Sequence, residues 1–174
     1  MHDASRYVPV MDTRRILPIA LLACGCTSVE RDFAPNPIVA AAEGRWHVNA
    51  TTVNCATGER ARNEWELKLA AVSPDTLSFE IYEDSRRSQW GEQTFSLDDT
   101  GSVRVAEWSQ DEPTAPVITL TGSGRTEGRD LVMDLEASDG TRLRSTRHFL
   151  QPDRWIMIEE IEGQWRTVSI LERR

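Results

Sequence analysis

Apolar and polar residues alternate along most of this chain, with a period of two that begins at Trp46. In the first stretch Trp46, Val48 and Ala50 fall on one face, with polar or small residues between them. Successive side chains of a β-strand point to opposite sides, so this alternation predicts strands with one face in a core. It predicts further strands near residues 65–71, 77–81, 93–97, 103–108, 117–122, 131–137, 141–149, 154–161 and 165–171.

Turn-forming residues separate these segments, and Asp139-Gly140 is the sharpest hairpin signal among them. A short helical turn is predicted ahead of the first strand, with Asn36 as its cap, Pro37 in its first position and Gly44 at its end. Since no long helix interrupts the strands, the sequence predicts an all-β fold. We expect an antiparallel meander of nine or ten strands closed as a barrel, with a β-sandwich as the alternative.

A different pattern precedes the domain: the basic pair Arg14-Arg15, a short apolar run over 16–23, and then Cys24. A run of this length is far below the ~20 residues that span a bilayer, so it predicts a cleaved export segment. Leu21-Leu22-Ala23-Cys24 resembles the lipobox of bacterial lipoproteins. That resemblance implies cleavage before Cys24 and lipid on its sulfur.

The expected divisions are therefore a signal peptide over 1–23, a lipidated tether over 24–35 and a β-barrel domain over 36–174. Cys26 is a rival cleavage site, but it lacks a large aliphatic residue three places before it. Met1 and Met11 both remain open as the true start. If the cell is Gram-negative, Gly25 behind the modified cysteine implies the periplasmic face of the outer membrane. The membrane, reached through the lipid anchor, is thus the predicted partner.

The formal net charge of −8 argues against nucleic acid as a partner, because phosphate backbones require basic surfaces. With Cys24 lipidated, Cys26 and Cys55 remain, and an oxidising envelope would allow them to pair. Two independent thiols are the alternative. The sequence offers no clustered metal ligands and no nucleophile elbow, so no cofactor, metal or catalytic residue is predicted.

The ends of the strand series carry a further resemblance. Gly44-Arg45-Trp46 at the first strand resembles the opening motif of lipocalin and calycin barrels, and the segment from Pro152 to Trp165 resembles the closing hairpin of bacterial lipocalin-like domains. In such barrels an arginine near the chain end covers the first-strand tryptophan. The resemblance implies closure by Gly44, Trp46 and Arg173, with Arg174 or Arg147 as alternatives to Arg173.

Such a barrel implies binding of a small apolar or amphiphilic molecule, and the candidate lining residues are Trp65, Phe79, Trp155 and Trp165. One alternative is a non-catalytic protein-interaction module with a solid core, which would use the loop from Ser109 to Ala115 and a partner that the sequence does not identify. A third is a barrel enzyme using an inward His148.

Overall fold

The computed structural model of the chain describes residues 36–98 and 102–174. One short helix, α1 (Pro37–Ala42), precedes ten strands. The strands are β1 (Gly44–Asn54), β2 (Arg60–Ser73), β3 (Thr76–Glu83), β4 (Arg86–Leu97), β5 (Ser102–Gln110), β6 (Ile118–Glu127), β7 (Asp130–Ala137), β8 (Arg142–Gln151), β9 (Arg154–Ile161) and β10 (Trp165–Arg173).

Each strand pairs antiparallel with its neighbours in sequence, and β1 also pairs with β10, so the sheet closes on itself. The predicted all-β barrel with a leading helical turn is therefore confirmed, and the sandwich alternative is not. Strands β2 and β4 begin earlier than the alternation predicted, at Arg60 and Arg86. Their first residues are mostly exposed or only partly buried, so hydrophobic alternation does not mark them.

Helix α1 forms as predicted because both of its ends are satisfied locally. The Asn36 side chain accepts a hydrogen bond from the Val39 amide at 2.9 Å, and Pro37 occupies the first turn. Asn36 also donates through Nδ2 to the carbonyl of Phe95 at 3.1 Å, and the Trp46 indole donates to the carbonyl of Ala42 at 2.8 Å. These bonds fix α1 across one end of the barrel, called here the closed end.

The core fills this closed half. Apolar side chains of α1 and of the strands around it are buried together: Val39, Ala42, Trp46, Leu77, Phe95, Val103, Leu131, Met133, Trp155 and Leu171. Several inward-facing positions toward the opposite, open end are only partly buried, among them Trp65, Ile81, Leu120 and Leu143. The interior is thus packed at the closed end and less completely buried toward the other.

Two strand glycines lie very close to the backbone of a neighbouring strand. A Cβ added at Gly91 would lie 1.9 Å from the Trp108 carbonyl oxygen, and one at Gly122 would lie 2.0 Å from that of Asp134. Both contacts are with backbone of the neighbouring strand, which leaves no room for a side chain. Glycine in the interior of a strand is typical of places where another backbone approaches this closely.

The predicted signal peptide, the tether, Cys24 and Cys26 lie outside the described residues. Within 36–98 and 102–174, no helix combines the length and apolarity needed to cross a membrane.

Candidate ligand site inside the barrel

The open half of the interior has an apolar wall. Register places Trp65 and Leu67 of β2 beside Val48 and Trp46, facing inward, and Ile81 beside Leu67. Further inward aliphatic residues from β6, β8 and β9 continue this wall: Leu120, Leu143 and Met157. Each is partly buried and packs against the core, so the wall keeps some accessible surface.

The four predicted lining residues all occupy inward registers but divide between the two halves. Trp65 is partly buried in the apolar wall, and Trp165, 44 % exposed, lies at the open rim. Phe79 and Trp155 belong to the buried core. Trp155 stacks on Phe149 with ring centroids 5.3 Å apart and meets Trp46 edge to face at 5.6 Å, which places it in the floor of the interior.

The structure places Arg173 over the first-strand tryptophan. Its guanidinium carbon lies 4.5 Å from the Trp46 ring centroid, and its Nε donates to the Pro152 carbonyl at 3.0 Å. Gly44, at φ +146°, leaves the space that this guanidinium occupies. Of the alternatives, Arg174 pairs with Glu66, and Arg147 points into the barrel.

A set of inward polar side chains, called here the polar layer, lies among these apolar residues. Glu107 of β5 pairs in register with Gln93 of β4, and the Gln93 amide donates to its carboxyl at 2.5 Å. On the other side of the ring, Ser145 and Arg147 of β8 face inward, with Glu159 of β9 opposite Ser145. Ser169 of β10 completes this layer.

Arg147 reaches across the interior from β8. Its guanidinium carbon lies 5.5 Å from the ring centroid of Phe95, on β4, and 5.7 Å from that of Trp155. The residue is 7 % exposed. Glu107 and Glu159 attract it through space, but neither accepts a hydrogen bond from it within the described ranges. A buried guanidinium thus lies on the packed floor, next to two aromatic rings.

Burial dominates the acid–base behaviour of this layer. It raises the pKa of Glu107 to about 7, against the attraction of Arg147 and with a further rise from Glu159. It also raises the pKa of Glu159, again opposed by Arg147. Burial lowers the pKa of Arg147 while both glutamates raise it, and a guanidinium stays protonated under any ordinary condition. The layer therefore holds one permanent positive charge and two carboxyls whose charge depends on pH.

Four buried polar atoms in the described part of the chain have no hydrogen-bond partner: Ser145 Oγ, Arg147 Nε, Trp155 Nε1 and Ser169 Oγ. Two of them can only donate, and a hydroxyl can donate as well. Burying an unpaired polar group costs about 1–3 kcal/mol, so natural structures rarely leave several close together. The unmatched capacity of this layer is therefore for a hydrogen-bond acceptor.

The sequence analysis singled out Trp65 of this wall but neither glutamate of the polar layer. The alternation along β5 is the signal that could have found Glu107. Val103, Val105 and Glu107 share one face of this strand, so the glutamate takes an inward position in an apolar series.

The outer face of β8 carries the other candidate side chains. His148 follows Arg147 and therefore points outward, where its Nδ1 lies 2.9 Å from Asp130 Oδ1. The expectation of an inward His148 acting in a barrel enzyme is wrong, because strand parity places it outside. Arg142 and Arg144 also face outward and pair with Glu136 at 3.5 Å and Asp134 at 3.9 Å.

Several concave surfaces of the described residues lie on the outside of the barrel, and two of them adjoin candidate residues. One, of about 1010 Å³, covers the outer face of β6 to β9 and is lined by the paired charges of β7 and β8. The other, of about 460 Å³, is an apolar cleft between α1 and the closed end, lined in part by Ala40, Ala41, Leu131 and Phe149. Cys55 is exposed in the turn after β1, and its predicted partner Cys26 lies outside the described ranges.

No protein-family profile matches this chain. No curated protein matches it either. Several solved structures do match this chain. The S-type phycobiliprotein lyase CPES from Guillardia theta is 12 % identical, with 79 % of this chain and 90 % of that chain covered and a TM-score of 0.55.

Rv2717c from M. tuberculosis is 13 % identical, with 79 % and 95 % covered and a TM-score of 0.50. The redesigned barrel mFAP1, solved bound to DFHBI, is 12 % identical with 78 % and 97 % covered and a TM-score of 0.41. At these identities the likeness to CPES and Rv2717c shows a shared fold alone. The chain is a closed, ten-stranded antiparallel β-barrel of lipocalin-like fold.

Proposed function

We propose that this protein is a lipid-anchored envelope protein whose barrel binds one small amphiphilic molecule through its open end. The observation that carries the binding proposal is the layering of the interior. Partly buried apolar residues such as Leu120 and Leu143 lie toward the open end, and the unpaired polar atoms of Ser145 and Arg147 lie deeper in the barrel. This order matches a molecule that enters with its polar head first and keeps its apolar part against the wall.

Similar barrels lend support without deciding the ligand. The CPES match is named as a lyase, and proteins of this fold include barrels that hold a small molecule in their interior. A protein-interaction module with a solid core is less consistent with the layering, because such a core leaves neither an accessible inner wall nor unpaired donors at its base.

Binding is tested with N-phenyl-1-naphthylamine, a neutral amphiphilic fluorophore whose emission rises in apolar surroundings. We expect saturable one-to-one binding to the intact protein. Leu67→Glu places a charge on the inner wall and is expected to weaken binding at least tenfold. The matched control is Ala41→Glu, which places the same charge in the apolar cleft at the closed end.

Unchanged affinity in Ala41→Glu together with the loss in Leu67→Glu supports the interior site. The reverse pattern would place the ligand in the closed-end cleft. An absence of saturable binding would reject the binding proposal. Circular dichroism and thermal unfolding of each variant confirm that it remains folded.

The anchor proposal rests on the lipobox-like tetrad ending at Cys24. Lipid on this residue would hold a water-soluble domain on a membrane, because each buried methylene contributes about 0.8 kcal/mol and lipoproteins carry several chains. In cells fed an alkyne-labelled palmitate, we expect label in the native protein and in Cys26→Ser. The label should disappear in Cys24→Ser. Label that persists in Cys24→Ser but is lost in Cys26→Ser would show that Cys26 carries the lipid.

If the cell is Gram-negative, the proposed location is the periplasmic face of the outer membrane. The described domain begins at its closed end, because Asn36 donates its amide hydrogen to the Pro74 carbonyl there, at 2.8 Å. A chain that is tethered upstream of Asn36 thus joins the domain at the end opposite the open mouth.

A further inference from the structure

We propose that Arg147 receives the carboxylate head of a monoanionic amphiphile, and that each bound molecule brings one proton from solvent to the Glu107–Glu159 pair. This inference rests on the proposed ligand-binding function and specifies its ligand class. It follows from three features of the polar layer: which atoms lack partners, how many charges the layer holds, and where the charges lie.

The unpaired atoms select an acceptor. Arg147 Nε and Trp155 Nε1 can only donate hydrogen bonds, and the hydroxyls of Ser145 and Ser169 are also available as donors. The carboxyl of Glu107, in contrast, already accepts from Gln93. A ligand amine would therefore add donors where donors are already in excess. A carboxylate offers acceptor oxygens, and its planar shape matches the fork of a guanidinium.

Charge then selects a monoanion. Arg147 supplies one positive charge, and the charges that act on Glu107 are those of Arg147 from β8 and Glu159 from β9. The inward residues of β4 and β6 beside Glu107 are uncharged: Gln93 and Leu120. One monoanionic head neutralises Arg147 when both glutamates are protonated, whereas a dianion would leave excess negative charge in a buried layer.

The same charge balance couples ligand binding to the uptake of a proton. Without ligand, an ionised glutamate balances Arg147 from a distance. When a ligand carboxylate takes that place, the glutamate loses the attraction that favoured its charged form and gains a negative neighbour, so it takes up a proton. Since the pKa of Glu107 is about 7, we expect uptake to approach one proton per ligand at pH 8. Affinity should then fall up to tenfold per pH unit above that value.

The test uses three probes with the same tail, below their micelle concentrations: dodecanoate, dodecanol and dodecylamine. Isothermal titration calorimetry at pH 8, in two buffers with different ionisation enthalpies, measures both affinity and proton uptake. We expect dodecanoate to bind at least tenfold more tightly than the other two, with uptake of between half a proton and one proton. Uptake should vanish in the Glu107→Gln/Glu159→Gln double variant.

Arg147→Met should weaken the binding of dodecanoate at least tenfold and leave the binding of dodecanol nearly unchanged. Its matched control is Arg144→Met, which removes an outward arginine of the same strand and should alter neither affinity. If Arg147→Met does not fold, the head-group series and the proton count on the native protein still decide the question.

Equal binding of all three probes, tighter binding of dodecylamine, or dodecanoate binding without proton uptake would overturn this inference. The first two results would leave the proposed function intact, because an amphiphile would still bind. Failure of all three probes and of the neutral fluorophore would overturn both proposals.

Discussion

Replacing Trp155 by alanine is expected to lower the free energy of unfolding by about 4 kcal/mol. Trp155 is 1 % exposed, stacks on Phe149 and contacts Trp46 edge to face, so its removal leaves a cavity in the densest part of the floor. Its indole nitrogen has no described hydrogen-bond partner, so the loss comes from packing. Urea unfolding, followed by circular dichroism, measures the change.

Trp165→Ala is the matched control, because it removes the same side chain from the open rim, where Trp165 is 44 % exposed. We expect a loss of less than about 1 kcal/mol for this variant. A loss below about 1.5 kcal/mol for Trp155→Ala would contradict the assignment of Trp155 to a packed floor.

Glu107→Gln is expected to remove a pH-dependent penalty on folding. The folded-state pKa of Glu107 is about 7, above the ordinary value of 4.5, so between these pH values the folded protein holds a proton that the unfolded chain has released. The stability of the native protein therefore falls as pH rises from about 4.5 to 7, and the loss is complete above pH 7. For one group this loss amounts to about 3 kcal/mol.

Urea unfolding at pH 5 and pH 8 tests this sign. We expect Glu107→Gln to gain about 2–3 kcal/mol relative to the native protein at pH 8 and much less at pH 5. Glu160→Gln is the control, because this neighbour of Glu159 points outward and pairs with Arg166 at 3.1 Å. An equal effect of Glu107→Gln at both pH values would mean that Glu107 is not buried as described.

The architecture was largely predictable because each strand carries its own signal. Trp46, Val48 and Ala50 alternate with residues of the outer face, and Asn36 with Pro37 marks the start of the helix. Both signals arise from neighbouring residues in sequence. The exposed beginnings of β2 and β4 escaped prediction because neither face is buried there.

The polar layer was not predictable in the same way. Glu107 and Arg147 come from strands on different sides of the ring, and sequence alone does not show that they face one another. The outward position of His148 and the inward position of Arg147 differ by a single residue, so an error of one in strand phase exchanges a surface group for an interior one. The face of the strand that each residue occupies therefore decides the chemistry of this interior more than the amino-acid composition does.

The pairing of β1 with β10 also affects how the chain reaches its native state. Contacts between segments so distant in sequence form late, since a long loop must close before they bring any gain. Until then both of these strands expose unpaired backbone groups to which another chain can add. This protein is therefore most vulnerable to aggregation in the interval before the final pairing, and a holding chaperone would protect those two borders.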